Sequence, residues 1–344
     1  MGTAQSGPAH AGQRTTTALV TTAAVTGAAA GAALGAALMA HWLKVGERHP
    51  PLHCPAASAK RIILVRHGES EGNVDTAVYQ SIPDWKVPLT TQGHQQAWEA
   101  GVKLKSIIGD DPVIAFVSPY RRTRQTLLGI IAGMEGAEAG SDVQNAETYD
   151  PCATHHAPGT DGPTASERAM MPLPRPGSTK GCNLVMVREE PRLREQDFGN
   201  FQRSRRHSTA SAERREYGKF FFRLPEGESG ADVYDRVTSF FDSLHRVFRY
   251  TDFHPDTSVI IVTHGVTLRC FLMRWFRWSV HTFESSANPG NAAFVQMKRV
   301  GETYRLTHAS ADIIGLTGDT AVQRRMLPAE TPLATPALCL AEGS

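Results

Sequence analysis

Three short apolar runs constrain this chain more than anything else in it. Ile62–Val65, Pro112–Val117 and Ser258–Val262 each have strand length, each stops at polar residues, and each passes into a helix-forming segment. Strands that alternate with helices imply a mostly parallel sheet with helices on both faces, a three-layer α/β sandwich. The carboxyl ends of parallel strands share one edge of the sheet, and open α/β folds place their ligands there. The residues delivered to that edge are Arg66-His67, Ser118 with Arg122, and Thr263-His264.

Two histidines and two arginines with few acids form a site that wants a dianion. A phosphate monoester fits, because guanidinium forks match phosphate oxygens in pairs. A histidine beside a permanent cation is also suited to attack phosphorus. Plainer readings exist for each piece. The first strand could simply end in two polar residues, and His264 could be a core histidine.

The remainder of the chain sets the frame. At 344 residues it can hold one large domain or two small ones, and its net charge of +2 gives no reason to expect a nucleic-acid partner. The five cysteines, Cys54, Cys152, Cys182, Cys270 and Cys339, are scattered and form no C-x-x-C pair. Neither a disulfide framework nor a zinc site follows, and a reduced compartment is the default.

Residues 1–59 stand apart as an Ala- and Gly-rich segment and a linker. Thr15 to Leu43 carries no charged residue, and Gly27, Gly31 and Gly35 fall on one helix face. The stretch is long enough to span a bilayer but weakly apolar. It reads as a membrane anchor, a cleaved targeting segment or a low-complexity tail, so membrane association through residues 15–43 and an organellar address both stand as expectations. Pro50, Pro51 and Pro55 mark the linker.

The folded core is expected over 60–317. A helix runs from Thr90 or Thr91, either of which can cap it, to about Ile108. A second helix starts near Tyr120 and fades near Gly133. Residues 133–183 hold few large apolar side chains and read as a disordered insertion. His155 and His156, near Cys152 and Cys182, fit no usual ligand spacing, so no metal is expected there. Order resumes at Asn183–Val187. An amphipathic helix spans Asp232–Phe248, with Val233, Val237, Phe240, Phe241, Leu244 and Phe248 on one face. A helix over Val266–Phe276 and a strand pair at Ala292–Arg299 and Thr303–His308 follow. Residues 318–344 read as a disordered tail.

Four separated segments resemble the histidine phosphatase superfamily in its phosphoglycerate-mutase-like branch. They are Leu64–Ser70 with Asn73, Ser118–Thr126, Leu193–Gly199 and Val262–Gly265, in the family's order. The resemblance covers about 60–315 and leaves the insertion unmatched. Glu195–Phe201, Pro225–Val237 and Asn288–Asn291 are similar, more narrowly, to a group of plant, algal and fungal phosphoglycerate-mutase-like proteins.

The resemblance implies a role for each matched residue. His67 is the expected nucleophile that becomes phosphohistidine. Arg66, Arg122, His264 and Asn73 are expected to hold the phosphoryl oxygens. Glu195 is expected to protonate the leaving oxygen and then to activate water, which requires a raised pKa. Asp197, Glu189 and Glu190 are nearby acids, any of which could be a surface acid, and the Leu-x-Glu spacing before Phe198-Gly199 selects Glu195. Arg124 is expected to be a solvated helix residue, and the basic stretch Arg203–Arg215 a solvated loop rather than a contact for an extended anionic substrate. No metal or other cofactor is needed, because protein cations supply the charge. The expected activity is hydrolysis of a phosphomonoester, on a small metabolite or a phosphoprotein. A phosphoglycerate-type phosphomutase is the alternative, and a non-catalytic phospho-ligand-binding protein a further one.

Overall fold

The apolar runs pair into one six-stranded sheet. The computed structural model describes residues 58–136, 173–199, 212–250 and 254–327. Its strands are β1 (Arg61–Arg66), β2 (Val113–Val117), β3 (Leu184–Glu189), β4 (Ser258–Thr263), β5 (Phe294–Val300) and β6 (Thr303–Leu306). They lie in the order β3-β2-β4-β1-β5-β6. The four strands β3, β2, β4 and β1 run parallel, while β5 and β6 are added antiparallel. The sheet is therefore mixed, with its parallel part where the polar strand ends fall.

Four long helices cover it: α1 (Thr91–Ile108), α2 (Arg121–Glu135), α3 (Gly230–Tyr250) and α4 (Gly265–Phe276). Ile62, Leu64, Ile114, Phe116, Val259 and Ile261 pack on one face with α3 and α4. Ile63, Val65, Val113, Ala115, Val117, Ile260 and Val262 pack on the other with α1 and α2. Successive strand residues thus bury on opposite faces, which explains apolar runs without alternation. The six apolar residues expected on one face of α3 are all buried. Each such side chain contributes about 1.5–3 kcal/mol relative to exposure.

Helix ends follow local chemistry. The Thr90 hydroxyl accepts the Gly93 N–H at 3.0 Å and caps α1. Helix α2 runs past Gly133 to Glu135 and stops at Gly136, whose φ of 72° supplies the left-handed turn. Order at the insertion's far side begins before Asn183: Glu135 Oε1 accepts the Lys180 N–H at 2.8 Å, and Cys182 is buried. The expected insertion thus loses residues from both ends. Its centre, with Cys152, His155 and His156, lies outside the described residues, as does the segment 15–43.

The expectation of a loose tail from Gly318 needs correction over its first ten residues. Val322 and Met326 are buried. Leu306 of β6 donates to the Arg325 carbonyl at 2.9 Å, and Leu327 donates to the Leu306 carbonyl at 2.8 Å. β6 is an edge strand with backbone groups to satisfy, and this segment satisfies those of Leu306. Composition rich in Pro and Ala gives no sign of that pairing. Residues 328–344 lie outside the described residues.

Register brings the strand ends together. Arg66 of β1 lies opposite Thr263 of β4, and Val117 of β2 opposite Val262. The ladder continues one step beyond the strands: His67 N–H donates to the Thr263 carbonyl and Ser118 N–H to the Val262 carbonyl, both at 3.0 Å. The loop after β1 then rests on the start of α1. A Cβ on Gly93 would sit 2.0 Å from the Glu69 carbonyl oxygen, so only glycine allows this approach.

Gly93→Ala therefore sets two effects against each other. Alanine gains about 1 kcal/mol in helix propensity, but overpacking against backbone costs about 1–3 kcal/mol. Net destabilisation in urea denaturation is expected, with weaker turnover because the His67 loop is displaced; a stabilised variant would contradict this packing.

Candidate active site

His67 leaves β1 into a buried position. Its Nδ1 lies 2.7 Å from the Gly68 carbonyl oxygen. A carbonyl can only accept, so Nδ1 carries the proton and Nε2 keeps its lone pair. Burial, then the neighbouring Arg122 and Arg66, push the imidazole well below its usual pKa. The ring is thus held neutral, with one defined nitrogen free to act as a nucleophile.

His264 follows directly on β4 as the cap of α4 and is fully buried. Its ring centroid is 5.2 Å from that of His67. Nε2 is 2.8 Å from the Ser118 hydroxyl, and the Tyr120 ring packs against it edge-on at 5.0 Å. Nδ1 is buried without a hydrogen-bond partner. If Ser118 donates to Nε2, Nδ1 carries a proton that it can offer to a ligand. Burial and Arg122 hold this imidazole, too, far below its usual pKa.

The two guanidiniums are anchored differently. Arg66 NH1 donates to the Pro289 carbonyl at 2.6 Å, while its Nε is buried without a partner. Arg122, in the first turn of α2, is 3% exposed and lies 4.8 Å over the Tyr120 ring. Its NH1 donates to both the carbonyl and Oδ1 of Asp84, each at 2.8 Å. Asn73 Oδ1 accepts from the Ser70 N–H and hydroxyl, each at 3.1 Å, which leaves its amide N–H groups for another partner.

Glu195 sits on a tightly held loop. Arg236 of α3 donates to the carbonyls of Arg192, Arg194 and Glu195 at 2.7, 2.9 and 3.0 Å. It also pairs with Glu228, which binds Arg194 and accepts the Asp197 N–H at 3.0 Å. From β4 and α4, Thr263 and Thr267 tie down the carbonyls of Leu193 and Arg194, both at 2.7 Å. Burial raises the Glu195 carboxyl pKa, against the Gln196 N–H and Arg122, with Asp84 adding to the rise. A carboxyl held this way can stay protonated above its ordinary range.

Arg66, His67, Asn73, Arg122 and Glu195 line one cavity of about 780 Å³. His264 is not among the lining residues and adjoins the cavity through its ring contact with His67. All six residues singled out from sequence therefore come together. Several secondary expectations need correction. Arg124 is buried and pairs with Glu189 rather than being solvated. Glu190 is buried and pairs with Arg192, so it is no surface acid. Arg214 lines the cavity and donates to Gln196 Oε1 at 2.7 Å instead of lying in a solvated loop. Arg203, Arg205 and Arg206 lie outside the described residues. Sequence reasoning missed Asp84, Tyr79, Tyr120 and Arg269, which also line the cavity. It noticed Pro225–Val237 as a motif without seeing that its Glu228 and Arg236 hold the Glu195 loop.

A parallel sheet edge that gathers two neutral histidines and two guanidiniums around one cavity defines a class of phosphoryl-handling α/β proteins. The model of the histidine phosphatase superfamily (branch 1) matches residues 62–143 and 177–312, and the chain belongs to that family. It is 43% identical over 243 residues to the phosphoglycerate mutase-like protein AT74 of Arabidopsis thaliana, covering 68% of this chain and 63% of that protein. The chain thus spans less than two thirds of the length of that relative. It is 36% identical over 290 residues to the broad-range acid phosphatase DET1 of Saccharomyces cerevisiae, covering 70% of this chain and 86% of that protein. A solved mycobacterial glucosyl-3-phosphoglycerate phosphatase superposes with a TM-score of 0.47 at 20% identity, over 72% of this chain and 97% of that one.

The His67 geometry makes a spectroscopic prediction. At about pH 6.5, where a free imidazole is half protonated, ¹⁵N NMR should show His67 neutral with its proton on Nδ1. A protonated ring, or a proton on Nε2, would contradict the assignment.

Proposed function

We infer that this protein hydrolyses phosphomonoesters through a phosphohistidine formed on His67. The observation that carries the reading is the Nδ1–H bond from His67 to the Gly68 carbonyl, on a ring that lines the same cavity as Arg66 and Arg122. Nε2 attacks phosphorus, the P–N bond forms, and the ester P–O bond breaks. Arg66, Arg122, the Nδ1–H of His264 and the Asn73 amide bind the non-bridging oxygens as charge builds on them. Glu195 gives its proton to the departing oxygen. It then takes a proton from water, whose oxygen attacks phosphorus, and the imidazole leaves with inorganic phosphate released. Every positive charge in the cycle comes from side chains already in place.

Two features favour hydrolysis over intramolecular transfer. The cavity, at about 780 Å³, leaves room for water beside a small ester. A relative of this chain over most of its length is named as an acid phosphatase. The substrate on this reading is a phosphorylated metabolite or a phosphoprotein.

Membrane attachment through residues 15–43 belongs to the same reading, supported by the length of that uncharged stretch. Among the described residues no helix is long and apolar enough to cross a membrane. Full-length protein is expected in a carbonate-resistant membrane fraction and a form without residues 15–43 outside it; equal partitioning of the two would rule out the anchor.

His67→Ala should release no phosphate from an aryl phosphate. Glu195→Gln should lose about 10²–10⁴-fold on alkyl phosphates and far less on p-nitrophenyl phosphate, whose leaving group needs no proton. Because the acid must be protonated, kcat/KM for an alkyl ester should fall as pH rises through the raised Glu195 pKa. The Gln variant should lack that limb. Equal losses on both esters would remove Glu195 from the acid role.

A further inference from the structure

Arg122 meets a carboxylate as well as the phosphoryl site. Asp84 lies in a short 3-10 turn (Asp84–Lys86) on the segment between Asn73 and α1. Arg122 NH1 donates twice to this one residue, to its carbonyl and to its Oδ1. The Asp84 side chain is 35% exposed and that of Arg122 is 3% exposed, so the pair sits at the wall of the cavity with its acid side toward the opening. The turn is itself tied down: Lys86 N–H donates to the Pro83 carbonyl at 2.8 Å, and Leu89 N–H to Gln125 of α2 at 2.8 Å.

We propose that Asp84 is the counter-ion of the phosphoryl site, a positioning residue that holds Arg122 and keeps the affinity for phosphate low enough for product to leave. A dianion reaching Arg122 has two routes. It takes the NH1 donors from Asp84, or it uses the remaining N–H groups beside a carboxylate still paired to the same guanidinium. On either route an anion meets an anion in a partly buried site, where charges are poorly screened. The Tyr120 ring under Arg122 keeps the guanidinium in place when the carboxylate yields. After hydrolysis the same repulsion, acting on free phosphate, favours its departure. The cavity holds other carboxylates, but among the described residues Asp84 is the acid that ion-pairs with Arg122.

The inference rests on the phosphoryl-binding reading of Arg122, and the test separates the two. Calorimetry at neutral pH measures binding of inorganic phosphate and of orthovanadate to the full chain, its Asp84→Asn variant and its Asp84→Glu variant. Asparagine keeps an oxygen that can accept from NH1, so shape is preserved while charge is lost; thermal melting of each variant checks the fold. Asp84→Asn should bind both anions more tightly, roughly 2- to 5-fold on the scale of a partly exposed ion pair, and show a lower KM without a higher kcat. Asp84→Glu should return affinity toward the parent value. Equal or weaker binding by the Asn variant overturns the counter-ion role while leaving the phosphoryl site intact. Failure of the parent chain to bind either anion overturns the phosphoryl site itself, and the role of Asp84 with it.

Discussion

The register between β1 and β4 is the constraint on which the site depends. Because Arg66 lies opposite Thr263, the next residues, His67 and His264, leave the sheet side by side. Because Val117 lies opposite Val262, Ser118 reaches the His264 ring. A parallel slip of one residue would turn every apolar side chain of a strand to the other face. The register of the ladder therefore sets where these polar side chains meet. Fold energetics and site geometry are here the same set of interactions.

The site works against ordinary electrostatics. Two imidazoles lie buried beside two guanidiniums, which favours their neutral forms twice over, through desolvation and through repulsion. A neutral imidazole can attack phosphorus where a protonated one would be inert. Glu195 is shifted in the opposite chemical sense by the same burial, toward the protonated acid. Environments that push a base down and an acid up let one cavity supply both partners of a phosphoryl transfer. The Arg236–Glu228 pair makes the second shift dependable by fixing the backbone on either side of Glu195. Buried ion pairs of this kind add little net stability, so its clearest effect is geometric.

The sheet and the site were unevenly legible. Strands buried on both faces read directly as apolar runs, and their polar ends named His67, His264, Arg66 and Arg122 before any fold was known. The α3 face was visible in its spacing. Asp84 was not, because it acts through one long-range bond to Arg122 across 38 residues, and nothing in the sequence near Pro83-Asp84-Trp85 signals that partner. Arg124 was misread as a solvated charge because its partner, Glu189, lies 65 residues further on in a different element. The order beyond Gly318 was hidden because it comes from backbone pairing to an edge strand, which leaves no mark in composition. Local pattern identifies elements and their polar ends; long-range pairing of charges and backbone has to be seen.

The proposed hydrolysis requires covalent capture of phosphorus by Nε2 of His67. Rapid quench of the protein with a ³²P-labelled aryl phosphate, followed by peptide mapping in base, tests this most directly. The expected result is one label on the His67 peptide, stable to base, labile to acid and assigned to Nε2. Turnover without any such label, or a label on another side chain, would contradict it.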